Sequence, residues 1–354
     1  MKDRQNAILA LKTLSKKYKH EVGTQSMTLL ANILQDDQID LQLSQLILET
    51  LLNIITYDAD SDKGVLLIMV YCFVFNTFVC SLEQLSLSQD ISVQFTKLYI
   101  KNKEHVHTVL ELIAKTNFNV RCSAIRFLTA LLTNYTPKLQ DIIYESGPVG
   151  FSKLLVLLED KNDVILNDAL SLFKILTRSN AYIQGVVAFE NGFERLLQII
   201  IRKCSRNEDV IITECLSVLL NLLENNESNQ MCFRGNSYIP RLFNCFDFGF
   251  IGEKRCWSTQ KVTNVRLLLK IIRTVISPTN LEENIVACQR TVSQFGILRR
   301  LCIMLTLTTI PTDVLAETIN VIGDYIRGNA KNQQYLDFAM SESAVIQQLT
   351  CVIQ

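Results

Sequence analysis

The chain has 354 residues, 48% of them apolar, and its 35 lysines and arginines balance its 35 aspartates and glutamates. A formal net charge of zero argues against a nucleic-acid partner, because nucleic-acid binding needs clustered excess lysine and arginine. The 12 glycines and 5 prolines are few for a β-rich or disordered chain and are typical of a helical one.

The first predicted helical region is basic. Lys16 and Lys17 lie in a cluster that also contains Lys12, Lys19 and His20. Such a cluster is able to contact an acidic partner or anionic lipid, although a solvated helix face is the commoner role. We therefore take Lys16 and Lys17 as candidate partner-binding residues and leave both interpretations open.

One apolar helix pattern then recurs six times. Its copies are Leu51–Ile55, Leu128–Leu132, Leu172–Leu176, Leu219–Leu223, Leu268–Ile272 and Thr318–Ile322. Their first residues are separated by steps of 77, 44, 47, 49 and 50. A period in the forties predicts stacked helical units of the armadillo or HEAT kind, in which each unit buries its apolar face against its neighbours. We predict an all-α, right-handed solenoid of about six to seven repeats.

The first step is too long, and its excess coincides with an apolar run from Val65 to Cys80. At roughly 16 residues this run is shorter than the ~20 that span a bilayer. It is a membrane anchor, an extra buried helix, or an insertion from an isoform or a gene-model artefact. Removing residues 64–88 restores the period, which favours the insertion. We therefore expect one armadillo-like domain over residues 1–354, partial at both ends, with an apolar insertion at about 64–88.

The segment 145–180 contains one complete repeat. Gly147 breaks the preceding helix, a short amphipathic helix follows over 151–158, and a polar turn leads into a longer helix over 164–177. The same order returns after Gly192 and after Gly296. A glycine, a short helix, a polar turn and a long helix are typical of the armadillo unit, and only 246–254 departs from it as a predicted loop.

The cysteines and histidines do not indicate catalysis. The 11 cysteines are scattered, without any C-x-x-C pair, and residues such as Cys122, Cys215 and Cys302 lie in apolar stretches. They are predicted to be small buried hydrophobes in a reducing compartment. His105 and His107 begin a polar helix and are predicted to be solvated, because further metal ligands are not signalled nearby. Phosphate loops, nucleophile elbows and paired carboxylates are absent from the sequence, so we expect neither enzyme activity nor a cofactor or metal.

Two further positions are candidate partner-binding sites. The long-helix position that holds asparagine in nuclear import adaptors reads Asn53, Ala130, Lys174, Asn221, Lys270 and Asn320. Import adaptors line their groove with tryptophans as well as asparagines, whereas half of these positions are not asparagine and the chain has one tryptophan. This disfavours an import adaptor. Asn221 stays a candidate partner-binding residue. That tryptophan, Trp257, stands beside Lys261 before a long helix. It either anchors a partner, since tryptophan is enriched in hot spots, or fills the joint between repeats.

The phrases between the repeats resemble one family. They are Ala10–Lys12, Leu14–Tyr18, Glu21–Gly23, Gln25, Leu176–Asn180, Ile183-Gln184, Val187–Asn191, Phe193–Leu197, Trp257-Ser258, Gln260–Asn264, Ser277-Pro278, Glu317–Asn320 and Ile326–Gly328. Together they resemble the globular head of the general vesicular transport factor, a long Golgi tether. The resemblance extends over about residues 6–332, with a gap at 64–88.

The resemblance implies a non-enzymatic, protein-binding scaffold that docks vesicles before fusion in transport from endoplasmic reticulum to Golgi. Family members are cytoplasmic, peripheral on Golgi and vesicle membranes, and associated with a Rab-family GTPase and other tethering and fusion factors. They are homodimers through a coiled coil. We expect the present chain to lack that coil and the family's acidic tail, and to begin and end inside the head. The alternative is a generic armadillo adaptor of nuclear transport or cell adhesion.

Overall fold

The computed structural model describes residues 2–36, 40–56, 91–204, 209–245, 257–306, 310–338 and 340–341. These residues form two compact units that meet in sequence between Leu176 and Thr177. The apolar run at 65–80, the predicted insertion at 64–88 and the predicted loop at 246–254 lie outside the described residues. The expectation of a single domain over the whole chain stays a prediction.

The described residues of the first unit form helices joined by short turns. Its helices are α1 Lys2–Ser15, α2 Lys19–Leu34, α3 Leu41–Ile55, α4 over 91–100, α5 Lys103–Ile113, α6 Phe118–Asn134, α7 Thr136–Glu145, α8 Gly147–Leu155, continued by a 3-10 turn over Val156–Glu159, and α9 Asp163–Leu176. The long helices α1, α3, α6 and α9 pack side by side in that order, and α2 and α5 pack against α3 and α6.

The second unit repeats this arrangement. Its helices are α10 Ala181–Phe189, α11 Gly192–Lys203, α12 Val210–Leu223, α13 Glu227–Gly235, α14 Tyr238–Asn244, α15 Thr259–Ile276, α16 Glu282–Gln294, α17 Ile297–Thr306, α18 Thr312–Ile326 and α19 over 330–338. Here α15 packs between α12 and α18, and the shorter α11 and α17 support α12 and α18.

The six copies of the apolar pattern all fall in long helices. They lie in α3, α6, α9, α12, α15 and α18, and strands are absent from the residues that the structure describes. The prediction of an all-α armadillo fold is confirmed. The repeats could be predicted from the sequence because each long helix buries one apolar stripe against the short helix of its own repeat. The sides of the long helix pack against the neighbouring long helices.

Short polar side chains fix where the helices begin. Asn117 Oδ1 accepts a hydrogen bond from Val120 N at 3.1 Å, and Asp209 Oδ1 accepts one from Ile211 N at 2.9 Å. Each satisfies an amide that the first turn of a helix leaves without a partner. At the start of α8, Gly147 takes φ +68°, a left-handed conformation that favours glycine. The predicted break between α7 and α8 is therefore present, and it depends on that residue.

The core of each unit combines leucine and isoleucine with ring clusters. Tyr99 meets Phe127 edge to face at 5.0 Å in the first unit, and Phe193 meets Phe233 at 5.1 Å in the second. Cys122, Cys215 and Cys302 are buried free thiols, which confirms their prediction as small hydrophobes. Burial raises the pKa of Cys302 to about 11, so this thiol stays protonated and unreactive at neutral pH.

The prediction that His105 is solvated is wrong. His105 is only 5% exposed, with Nδ1 at 3.0 Å from Tyr99 O and Nε2 at 3.2 Å from Asn32 Oδ1. The start of α5 is polar in sequence, but α2 supplies a hydrogen-bonding partner from the preceding repeat. His107, two residues along the same helix, is partly exposed.

Candidate functional site

The second unit contains a groove of about 530 Å³ along the C-terminal parts of α12, α15 and α18. Residues of three consecutive long helices line it, so the groove crosses two repeat boundaries. Its lining combines both signs of charge with a short polar turn after α15. The lining residues are Leu220, Glu224, Lys270, Arg273, Thr274, Ser277, Pro278, Thr279, Glu317, Asp324 and Arg327.

An ion-pair network forms one wall of the groove. Arg273 Nε donates a hydrogen bond to Asp324 Oδ2 at 2.9 Å, and Arg273 Nη1 lies 3.6 Å from Glu317 Oε1. Arg327 Nη2 approaches the other oxygen of Asp324 at 3.5 Å. The hydrogen bond to Asp324 raises the pKa of Arg273. The network fixes α15 against α18 and holds two carboxylates at the groove.

One oxygen of this network has no hydrogen bond of its own. Glu317 is 9% exposed, and its Oε1 is buried without a hydrogen-bond partner among the residues that the structure describes. A buried carboxylate oxygen without a donor costs free energy, which the nearby guanidinium of Arg273 offsets in part.

A second depression of about 410 Å³ adjoins the groove, since Glu224 lines both. Asn221, predicted from the sequence, lines it together with Arg178, Ser179, Ala181, Gln184 and Asn225. Asn221 Nδ2 lies 3.5 Å from Thr177 Oγ1. Lys270 and Asn320 occupy the matching positions on α15 and α18 and are both exposed. The groove and this depression together are called the charged groove below.

Side-chain amides form hydrogen bonds between successive repeats of the second unit, beside the charged groove. Asn226 Nδ2 donates to Gln184 Oε1 at 3.0 Å, and Asn284 Nδ2 donates to Gln230 Oε1 at 3.1 Å. Each glutamine also donates to a carbonyl near the end of a long helix, as Gln230 does to Leu223 O at 2.9 Å. These bonds join successive repeats of the second unit.

Trp257 and Lys261 are brought together by the structure. Lys261 Nζ lies 5.0 Å from the centroid of the Trp257 ring, a cation–π distance, and Lys261 is 6% exposed. Ser258 Oγ accepts from Lys261 N at 3.2 Å and begins α15. This pair stands at the first turn of α15, whereas the charged groove uses its last turns. Trp257 and Asn221 are therefore not parts of one site.

Lys16 and Lys17 lie in the first unit, in the turn between α1 and α2, and both are exposed. Lys17 Nζ lies 5.5 Å from the centroid of the Tyr18 ring. Two other lysines of the predicted cluster are engaged within the unit: Lys12 is paired with Glu49, and Lys19 Nζ donates to Thr56 O at 2.7 Å. Lys12 and Lys19 are therefore less available to a partner than Lys16 and Lys17.

The sequence did not reveal the network of Arg273, Glu317 and Asp324. Its one signal is the spacing of Glu317 and Asp324, seven residues apart, which puts both carboxylates on the same side of α18. Pairing with Arg273 depends on how α15 packs against α18, and that information is not local.

Groups of three or more potential metal ligands are absent from the described residues. Within the same residues, none of the helices combines the length and the hydropathy needed to cross a bilayer. The run at 65–80, which the sequence left open as an anchor, is outside the region to which that finding applies.

Stacked short and long helices of this kind define an armadillo repeat protein. The family described as "Armadillo tether-repeat of vescicular transport factor" matches residues 254–314. General vesicular transport factor p115 of Bos taurus and of Homo sapiens is 42% identical over 335 residues, which are 94% of this chain and 33% and 32% of those proteins. Over 94% of its length the chain is therefore similar to general vesicular transport factor p115, and residues 254–314 match the armadillo tether repeat.

Solved structures agree on the fold. A crystal structure of Uso1-1 matches 94% of this chain and 51% of its own at a TM-score of 0.80 and 24% identity. A designed armadillo repeat protein, YIII(Dq)4CqI, matches 85% of this chain and all of its own at a TM-score of 0.57 and 12% identity. The chain spans about a third of the length of the curated p115 relatives that it matches.

Proposed function

We propose that the chain is a non-enzymatic, protein-binding part of a vesicle-tethering factor. It acts in transport from endoplasmic reticulum to Golgi and docks vesicles before they fuse with Golgi membranes. The observation that carries this proposal is 42% identity to general vesicular transport factor p115 over 94% of the chain. The phrases that carried the resemblance in the sequence lie in both units.

The fold supports a binding role. Stacked repeats present a long surface on which each unit contributes a few side chains. The charged groove supplies side chains of both signs together with Asn221, and Lys270 and Glu224 there are exposed without a partner among the described residues. We therefore place the principal partner contact at the charged groove.

The partners that this proposal names are proteins. By resemblance they are a Rab-family GTPase and other tethering and fusion factors, met at the cytoplasmic surface of Golgi and vesicle membranes. Asn221, Trp257 and Lys261 remain the proposed protein contacts, and Lys16 and Lys17 remain proposed contacts for an acidic partner or anionic lipid. Asn221 has the strongest support because it lines the charged groove, whereas the buried Lys261 acts by holding Trp257. Homodimerisation is proposed only for longer members of the family.

A capture experiment tests the proposal. The chain is immobilised and exposed to purified Rab-family GTPases loaded with a GTP analogue or with GDP. Capture in one nucleotide state is expected, and Lys270→Glu should weaken it about tenfold or more, because reversing a charge at an interface opposes a complementary partner. Arg290→Glu is the matched control, since Arg290 is exposed on α16 outside the charged groove.

Membrane fractionation completes this test. The chain expressed in cells should sediment with Golgi or transport-vesicle membranes. Capture of none of the GTPases together with absence from those membranes would contradict the proposal. The alternative, an adaptor of nuclear transport or adhesion, is not favoured, because the relatives found are named as transport factors.

A further inference from the structure

The ends of three long helices lie side by side at one edge of the first unit. Lys19, after α1, donates from Nζ to Thr56 O at 2.7 Å, directly after α3. Asn134, at the end of α6, donates from Nδ2 to Ile55 O at 2.9 Å. The turn after α1 and the turn after α6 therefore both contact the end of α3. The side chains of these two turns lie at one edge of the first unit.

This edge carries excess positive charge. Four exposed lysines occupy it: Lys16, Lys17, Lys97 and Lys138. Their side chains form no ion pair or hydrogen bond within the described residues, although Lys16 lies within electrostatic reach of Glu49. The exposed acids near these lysines are Glu21, Asp141 and Glu145, the last of which is within electrostatic reach of Lys138, so four lysines stand against three acids. We call these four lysines, with Tyr18 and Tyr135, the lysine edge.

Two tyrosines stand among the lysines. Lys17 Nζ lies 5.5 Å from the centroid of the Tyr18 ring, and Lys97 Nζ lies 5.4 Å from that of Tyr135. Tyr18 and the neighbouring Leu14 are each 46% exposed. Lysine stems and tyrosine rings combine an apolar body with a polar tip, which suits the boundary between lipid headgroups and acyl chains.

We propose that the lysine edge docks on an anionic membrane surface. The proposal rests on the proposed function, because a tether works beside membranes. An acidic protein is the other possible occupant, but recognition of fixed carboxylates favours the planar fork of arginine, and neither turn contains an arginine. Flexible point charges on apolar stems fit a fluid layer of headgroups better.

Vesicle flotation with the whole chain tests this proposal. Vesicles of phosphatidylcholine alone are compared with vesicles that also contain phosphatidylserine. The chain is expected to float with the anionic vesicles only, and binding should fall as salt is raised. The double variant Lys16→Glu and Lys17→Glu should lower the partition coefficient at least about tenfold, since each lysine near an anionic surface contributes separately.

The matched control is the double variant Lys115→Glu and Lys161→Glu. It makes the same charge change at exposed lysines that precede α6 and α9, at the opposite ends of those long helices. Its flotation should equal that of the parent chain, and thermal melts of both variants check that the fold is unchanged.

Several results would overturn the proposal: equal binding to neutral vesicles, absence of vesicle binding, or equal loss in both variants. Capture of a synthetic acidic peptide in place of vesicles, dependent on Lys16 and Lys17, would assign the edge to a protein partner and also overturn it. Capture of GTPases at the charged groove is measured separately, so failure here is distinguishable from failure of the proposed function.

Discussion

Arg241 holds Glu194 by two parallel hydrogen bonds, from Nη1 to Oε2 at 2.8 Å and from Nη2 to Oε1 at 2.9 Å. The pair joins α14 to α11 across one repeat boundary of the second unit. Hydrogen bonds from Arg241, with a further one from Gln198, lower the pKa of Glu194 to about 2. Two parallel hydrogen bonds make this surface ion pair stronger and more directional than a pair joined by a single hydrogen bond.

The first prediction concerns pH. Because the folded pKa of Glu194 lies below its unfolded value, the stabilisation is present above about pH 4.5 and is lost as pH falls toward 2. The side chains are 38% and 36% exposed, so solvent screening limits the effect. We expect Glu194→Gln to lower the free energy of unfolding by about 0.5–1 kcal/mol at pH 7, with the difference vanishing near pH 2.

Urea unfolding at a series of pH values measures this difference. Glu224→Gln is the control, because Glu224 is exposed, follows the last residue of α12 and lies outside the first turn of a helix, so this change should alter stability little at any pH. A stability difference for Glu194→Gln that stayed constant from pH 7 to pH 2 would contradict the role given to Arg241.

The second prediction concerns the side-chain amides between repeats. Gln230 is 1% exposed, donates to Leu223 O and accepts from Asn284 Nδ2. Gln230→Met keeps the shape but leaves the Leu223 carbonyl and the Asn284 amide without these bonds, so a loss of about 1–3 kcal/mol is expected in urea unfolding. Gln294→Met, at an exposed position, is the control, and equal effects of the two changes would refute the assignment.

The third prediction separates the two neighbouring histidines. His105→Leu should destabilise the first unit by about 1–3 kcal/mol, because Tyr99 O and Asn32 Oδ1 both lose a buried hydrogen-bonding group. His107→Leu, on the more exposed side of α5, should change stability by no more than about 0.5 kcal/mol. Thermal melts of both variants suffice, and indistinguishable melts would show that His105 is not a structural residue.

The fourth prediction compares two glycines of the same repeat. A Cβ at Gly192 would lie 2.5 Å from Val187 O, whereas a Cβ at Gly185 meets nothing within 4 Å. Gly192→Ala should cost about 1–3 kcal/mol by overpacking. Gly185→Ala should be neutral or stabilising by up to about 1 kcal/mol, since alanine is the better helix former. Stability measured in urea should rank the two oppositely, and a tolerated Gly192→Ala would contradict the close approach of α10 to α11.

The fifth prediction concerns residues 64–88. Their deletion should leave the repeats folded or improve solubility, because the first step then returns to the spacing of the others. Apolar side chains that stay wet cost about 25 cal/mol per Å², and such a run is an aggregation hazard. A thermal melt of the deletion variant beside the parent chain tests this, and a large loss of stability would identify the segment as core.

The sequence by itself determined the fold class and the long helices. The apolar copy Leu219–Leu223 was predicted to lie in a long helix, and it forms the end of α12, because a polar turn precedes that helix and its apolar residues follow helical spacing. Cys215 was predicted as buried from the same stripe, and it is. Periodicity is local information that repeats several times in this chain, so each copy of the pattern supports the others.

Only the tertiary structure decided which polar residues meet. Arg273 pairs with Asp324, 51 positions away, and His105 with Asn32, 73 positions away. Lys261, a candidate contact in the sequence, is buried beneath Trp257 by the first turn of α15. Helical spacing says which face a residue occupies, but the partner on the next repeat depends on the offset between packed helices. That offset is set by side-chain packing and amide bonds across the boundary, so it cannot be read from one repeat alone.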